Sequence, residues 1–237
     1  VILLSTSSLN YIHRVFSFAK KAGFDGIDLS LVNDNYDLWD ENYIKLSDSI
    51  IKVLSITVSS KLDEDSVDKI ISLSNVLGAQ VLNFSPPYFK DLNTSWFSKK
   101  LSKIKKENKI SIAIKNVEPE FLLLVIPKYR NSSLLDIKKI TGDTSLDLSI
   151  LDSSIDIIKA HKILTSIKNI YLSDKDLPNA GISNLPLESF LMKLKTTAYN
   201  FISLKVNPIE LGVNEDLVFQ NFELILDYYK KYYLDYK

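Results

Sequence analysis

The feature that most constrains this chain is a strict alternation of strand-like and helix-like stretches from one end to the other. The strand-like pieces are "ILLSTS", "FDGIDLSL", "KVLSITVSS", "QVLNFSPP", "KISIAIKNV", "TSLDLSI", "KNIYLSD" and "NFISLKV". Each is short, apolar at alternate positions and bounded by turn-forming or charged residues. Helical stretches follow each in turn: "NYIHRVFSFAKKAG", Tyr43 to about Ile51, "DEDSVDKIISLSNVLGA", "SWFSKKLSKIKKEN", a weaker stretch around 120–140, "SSIDIIKAHKILTSI", "LESFLMKLKTTAY" and "EDLVFQNFELILDYYKKYYL". Gly23 sits where a C-cap of the first helix belongs. Parallel strands need a long crossover between them, and a helix is the usual one, so the alternation predicts a parallel sheet. Eight units in 237 residues predict an α/β chain forming a single (β/α)8 TIM barrel domain over residues 1–237. A doubly wound sheet with extra strands is the structural rival.

Side chains on a strand alternate between faces, so the apolar parity meets the helices and the other parity lines the barrel. The inward set is then Gly26, Asp28 and Ser30; Ser55, Thr57 and Ser59; Val81, Asn83 and Ser85; Ala113 and Lys115; Ser145, Asp147 and Ser149; Tyr171 and Ser173; Ser203 and Lys205. Two lysines, in "ISIAIKNVEP" and "ISLKVNP", thus end apolar strands on the inward side. A buried lysine needs a partner. Asp28 and Asp147 share its parity, and Asp174 stands at the rim of the seventh strand. In such barrels the C-terminal strand ends carry the site. Pairs that only fill the mouth, and pairs that also form a ligand site, are both open on this pattern.

Composition removes several function classes. Lys+Arg and Asp+Glu both total 29, so no overall field draws the chain to nucleic acid or to a membrane surface. There is no cysteine, which excludes disulfides, thiolate metal sites and cysteine nucleophiles. No apolar run approaches the ~20 residues that span a bilayer. The opening "VILLSTSSL" is too short for a signal sequence and reads as a strand. A soluble, cytoplasmic protein is expected.

Seven segments, in order, resemble the xylose isomerase-like barrels, the superfamily of sugar phosphate isomerases and epimerases that includes endonuclease IV. They are "KKAGFDGIDLSL", "SLSNVLGAQVLNF", "IAIKN", "TSLDLSI", "IKNIYLSD", "AGISNLPLESFLMKL" and "YNFISLKV", and together they span nearly the whole chain. The resemblance implies a divalent metal held by Glu on strand five, Asp on strand six, His on or near strand seven and Glu on strand eight. Here those places carry Lys115, Asp147, Tyr171 and Lys205; the His expected three residues after the strand-six Asp is Ile150, and the strand-two Glu is Asp28. Exchanging two carboxylates for two ammonium groups adds about four units of positive charge, which repels a divalent cation. The expectation is a degenerate site without a metal or other cofactor, in which the lysines supply the positive charge. The two histidines, His13 and His161, fall in helices and do not end strands.

These residues predict a barrel that binds or converts a small sugar-like or carbonyl ligand at its C-terminal mouth. Lys115, Asp147, Asp174 and Lys205 are the catalytic candidates, and Asp28, Asn83, Tyr171, Trp39 and Tyr88 the ligand-binding ones. Lys115 and Lys205 would hold an anionic or carbonyl-bearing ligand, with Asp147 or Asp174 as acid–base group; either lysine could form a Schiff base. Tyr36, Trp39 and Tyr43 in "DNYDLWDENY" suit a lid over the mouth, or a packed loop. The rival functions are a non-catalytic binding or scaffold barrel, and an ordinary metal isomerase using Glu118, Glu210 and Asp28. Glu118 and Glu120 read best as solvated. The tyrosine-rich C-terminus packs on the barrel or forms a homo-oligomer contact.

Overall fold

The computed structural model describes residues 1–7, 12–31, 41–58, 64–87, 94–108, 110–129, 134–141, 143–151, 154–163, 166–176, 187–194, 201–206 and 214–231. Eight strands carry the alternation read from the sequence: β1 Ile2–Ser5, β2 Gly26–Leu31, β3 Val53–Val58, β4 Val81–Phe84, β5 Ser111–Lys115, β6 Thr144–Asp147, β7 Ile167–Ser173 and β8 Phe201–Lys205. They run parallel in sequence order around a closed barrel, with β1 paired to β2 on one side and to β8 on the other. Closure leaves the barrel sheet without a free edge.

The helices are α1 Ile12–Ala22, α2 Glu41–Asp48, α3 Glu64–Leu77, α4 Thr94–Glu107, α5 Leu134–Thr141, α6 Ser154–Ile163, α7 Leu187–Leu194 and α8 Glu215–Tyr229. Their apolar sides and the outward strand residues form one continuous core. Ile27, Leu29, Ile112, Ile114, Ile170, Leu172 and Leu204 are fully enclosed in it. Gly23 ends α1 in the left-handed conformation at φ 88°, and Phe24 N–H reaches back to Ala19 O at 3.0 Å. That is the C-cap geometry for which glycine is suited. Arg14 on α1 pairs with Glu215 at the start of α8, which ties the first helix to the last.

The barrel interior is graded. At its N-terminal end Leu3, Val81 and Phe201 form a small apolar floor, and the half-buried Leu54 packs against it. The β2–β3 register shifts between Ile27 and Asp28, where Leu54 is the extra residue. A Cβ on Gly26 would stand 2.8 Å from Leu54 Cδ1 and 3.0 Å from Lys52 O, so glycine is required for that close approach. Above the floor the inward positions turn polar, as the parity predicts.

Two local departures from the sequence reading matter. Among the described residues, the stretch around 120–140 is helical only over Leu134–Thr141. Before it, Phe121–Leu122 and Ile126–Pro127 form a short antiparallel hairpin. Pro119 and Pro127 deny this segment the backbone N–H groups a helix would use. Secondly, β6 ends at Asp147, and Leu148–Ile150 form a 3-10 turn. That turn brings Ser149 back over Asp147.

Candidate functional site at the barrel mouth

The polar interior begins with a ring of amides and hydroxyls from five strands. Asn83 Nδ2 donates to Ser55 Oγ at 2.8 Å, and Ser145 Oγ donates to Asn83 Oδ1 at 2.5 Å. Asn169 Nδ2 reaches Ser55 Oγ at 3.3 Å, and Ser203 Oγ donates to Asn169 Oδ1 at 3.0 Å. All five side chains are buried. The sequence placed Asn83 among the ligand contacts; here it sits inside this ring.

Next comes a carboxylate buried at the end of a chain of donors. Asp28 is fully enclosed. It accepts from Ser5 Oγ at 2.9 Å and from Thr57 Oγ1 at 2.8 Å. Tyr171 Oη lies 2.6 Å from Thr57 Oγ1, and Asn169 Nδ2 donates to Tyr171 Oη at 3.0 Å. With Thr57 donating to Asp28, Tyr171 donates to Thr57. Burial pushes the Asp28 carboxyl above the usual carboxylate range, against the opposing pull of Ser55, Thr57 and Ser5 and the Lys115 charge. Burial likewise pushes the Tyr171 phenol well up, and the Asp28 charge adds to it.

The two lysines meet at the mouth. Lys205 Nζ lies 2.7 Å from Asp147 Oδ1 and 2.6 Å from Oδ2, and it donates to Ser149 Oγ at 2.7 Å. Ser149 Oγ in turn donates to Asp147 Oδ1 at 2.7 Å. Lys115 Nζ stands further off, 3.5 Å from Asp147 Oδ2, with its charge 5.1 Å from the centroid of the Tyr171 ring. Asp147 is 1% exposed, while the Lys115 and Lys205 side chains are 17% and 20% exposed. Burial alone would raise the Asp147 carboxyl, but Lys205 and Lys115 hold it below its ordinary value. Burial lowers the Lys115 amine, and the Lys205 charge adds to that against the attraction of Asp147 and Asp28.

Beside this triad stand Asn116 and Asp176, which the sequence reading does not single out, and Asp174, which it does. Asn116 clamps the end of β6, accepting from Asp147 N at 2.6 Å and donating to Asp147 O at 3.0 Å. Asp174 and Asp176 lie in the 3-10 turn after β7. Asp174 Oδ1 accepts from Ser173 Oγ at 2.8 Å, and Asp176 Oδ2 accepts from Ser173 N at 2.7 Å. Asp176 is only 3% exposed, and burial pushes its carboxyl to about 7, with the Asp147 charge adding to the rise and Lys205 opposing it. In the sequence it looked like one more loop acid; its only signal was its place beside Asp174 at a strand end. Trp39, Tyr88, Tyr36 and Glu210 lie outside the described residues, as does the Tyr43 side chain.

No protein-family model matches the chain, and no curated protein matches it. Solved structures do. The chain superposes on D-psicose 3-epimerase from Clostridium cellulolyticum H10, solved with D-tagatose, with a TM-score of 0.65, 11% identity and 98% of each chain covered. It superposes on IolI protein with a bound zinc atom at a TM-score of 0.64, with 13% identity and 98% of each chain. A xylose isomerase domain protein from Planctomyces limnophilus gives 0.62 and 8% identity, over 99% of this chain and 97% of that one. The fold is therefore that of the xylose isomerase-like TIM barrels.

The divalent metal that this fold implies finds a poor donor set here. Asp147 is already held by two ammonium groups, and Tyr171 spends its hydroxyl on Thr57. Among the described residues, no three His, Asp or Glu side chains converge as a metal-binding group. A cation at this point would face Lys115 and Lys205 directly. The described residues do not fit the metal.

Proposed function

We propose that the barrel holds a small sugar-like or carbonyl-bearing ligand at its C-terminal mouth, in a site whose positive charge comes from Lys115 and Lys205 in place of a divalent metal. One observation carries this reading: a single buried carboxylate, Asp147, is shared by two lysines at the ends of β5 and β8. The triad carries an excess positive charge that suits a carbonyl oxygen, carboxylate or phosphate. Lys205 uses its donors on Asp147 and Ser149, so Lys115 is the group with hydrogen-bonding capacity left for a ligand.

The chemistry that suits such a site is proton transfer beside a carbonyl, as in isomerisation or epimerisation. It needs a cation at the carbonyl oxygen and a carboxylate that can take a proton near neutral pH. Lys115 fills the first role. Asp147, held below its ordinary range, serves as the fixed anion rather than the proton carrier. Asp176, with its carboxyl at about 7, is the better-tuned proton acceptor, with Asp174 beside it. Formal net charge of +0 supports a small molecule over nucleic acid as the partner.

The test is ligand-dependent thermal stabilisation of chelator-treated protein by D-tagatose, D-fructose and their phosphates, with the sugar products followed by NMR. Stabilisation that survives chelation and disappears in Lys115→Met supports the reading. Binding or turnover that appears only on adding manganese or zinc overturns it. A second reading, a non-catalytic scaffold, is favoured by the internal satisfaction of Lys205 and Asp147; it predicts no stabilisation by any of these sugars.

A further inference from the structure

We propose that Lys115 is a nucleophilic amine that forms an imine with the open-chain carbonyl of its ligand, and that Lys205 is not. This rests on the ligand reading above, replaces the Lys115 ammonium at the carbonyl oxygen by a covalent iminium that carries the same charge, and adds the chemical class: an aldehyde or ketone whose carbonyl carbon can reach the end of β5.

The geometry separates the two lysines. Lys205 Nζ faces both oxygens of Asp147 at 2.7 and 2.6 Å and Ser149 Oγ at 2.7 Å, three acceptors for the three N–H groups of an ammonium. That arrangement fixes its charge and its position. Lys115 Nζ is 3.5 Å from a carboxylate oxygen that Lys205 already holds more closely. On its other side lies the face of the Tyr171 ring, which offers no strong acceptor. The side chain retains an exposed edge at the mouth. It is thus short of full hydrogen bonding, in a side chain that is not wholly enclosed.

The local charge favours a neutral amine there. Two ammonium groups share one carboxylate, so release of one proton brings the triad to neutrality. Burial and the neighbouring Lys205 lower the Lys115 amine, against the opposing charges of Asp147 and Asp28. Desolvation and a cationic neighbour are the two known ways of activating a lysine for this chemistry.

In the step itself, the lone pair of the neutral Nζ attacks the carbonyl carbon. A C–N bond forms, the C=O π pair moves to oxygen, and the amine proton passes to that oxygen to give a carbinolamine. A second proton, from a nearby acid, lets the hydroxyl leave as water and a C=N bond form. Asp176, at about 7, has the acidity for that role. Carbons beside an iminium lose protons more readily than those beside a carbonyl, which connects the adduct to the proton transfer proposed above.

The experiment uses the intact protein with D-tagatose, dihydroxyacetone and glyceraldehyde as probes. Sodium borohydride is added to reduce any imine to a stable secondary amine, and peptides are mapped by mass spectrometry. The expected result is an adduct on Lys115 in at least tenfold excess over any surface lysine, carrying the mass of the probe less one oxygen. No adduct, or adducts spread over surface lysines without preference for Lys115, overturns the proposal. Thermal stabilisation by the same probes without borohydride separates the two readings. Binding without an adduct refutes the imine and leaves the ligand site standing; absence of both removes both. Because Lys115→Arg could disturb folding, a second measurement uses the wild-type protein alone: competitive acetylation across pH. Lys115 should reach half its maximal reactivity at a lower pH than the surface lysines, and a midpoint coincident with theirs refutes the proposal.

Discussion

Asp147→Asn tests whether the lysines share a carboxylate. The substitution keeps the side-chain volume. It leaves the Asn116 clamp in place, because Asn116 holds the backbone of residue 147. What it removes is charge. At an effective dielectric of about 20, Coulomb attraction is roughly 6 kcal/mol for Lys205 at 2.6 Å and roughly 5 kcal/mol for Lys115 at 3.5 Å, before desolvation is subtracted. Desolvation cancels much of that, and removing one partner of a buried pair costs about 3–5 kcal/mol in practice. The variant also leaves two ammonium groups facing each other, so the upper part of that range is expected. The assay is urea unfolding followed by circular dichroism at pH 7. Adding Lys205→Met should recover part of the loss, since it removes one of the two unpaired charges.

The pH dependence adds a second check. The Asp147 carboxyl is lowered in the fold, so its contribution is complete above its unfolded value of 3.8 and is lost as pH falls through its lower folded value. Wild-type protein should show that acid loss, and Asp147→Asn should lack it. A cost below about 1 kcal/mol at pH 7, a value typical of exposed pairs, would refute the argument: the lysines would then be turned to water and not to Asp147.

Three further variants probe other parts of the fold. Asp176→Asn keeps an oxygen for the Ser173 N–H; the raised carboxyl contributes stability below its unfolded value of 3.8 that is lost as pH rises through about 7, an interval worth on the order of 4 kcal/mol. The variant should therefore be more stable than wild type at pH 8 and less advantaged at pH 5, and an equal difference in urea unfolding at the two pH values contradicts the assignment. Gly26→Ala forces a Cβ to 2.8 Å from Leu54 Cδ1 and 3.0 Å from Lys52 O, and should cost about 1–3 kcal/mol; an unchanged melting temperature would show that the barrel floor yields freely. Leu123 and Leu124 form a turn at φ 51° and 64° with 85% and 92% exposure, so Leu123→Asn with Leu124→Gly should raise stability by about 1 kcal/mol, and a fall in melting temperature would mean that the leucines pack on something.

The barrel was legible because its signal is redundant. Each strand announces itself by period-two alternation and each connection by a helical stretch, so an error in one unit leaves the count intact. The inward parity was equally legible: alternation puts Lys115, Asp147 and Lys205 on one face, and they meet. What the sequence hid was short-range backbone geometry. The turn that returns Ser149 to Asp147 depends on where β6 stops, and alternation carried through "TSLDLSI" does not mark that point. Asp176 was hidden for another reason. Its character comes from burial beside Ser173 and the nearby charges, and nothing in "SDKDLP" distinguishes it from a solvated acid. The hairpin at 121–127 was hidden by its own composition, since "FLLLVI" has the apolar density of a helix face and places two leucines where a turn of this geometry usually carries Asn-Gly.

The interior charges form one system, and this bears on which state the site occupies. With these four groups ionised, Asp28 and Asp147 balance Lys115 and Lys205, apart from Asp176 at the rim. Burial pushes Asp28 up and Lys115 down, and each group's charge restrains the shift of the other. Each shift runs toward the neutral form of its group, and moving one proton from Lys115 to Asp28 would leave the charge of these four groups unchanged. Between them lie Tyr171, whose ring faces Lys115 and whose hydroxyl lies 2.6 Å from Thr57, and Thr57, which donates to Asp28. A barrel lined with valine and isoleucine would offer the proton no second site, and Lys115 would have to lose it to solvent. The serines, threonine and asparagines beneath the mouth therefore do more than fill space. They hold an ionisable carboxyl deep in the barrel, and the nucleophilic Lys115 proposed above would have in it a second site for its proton.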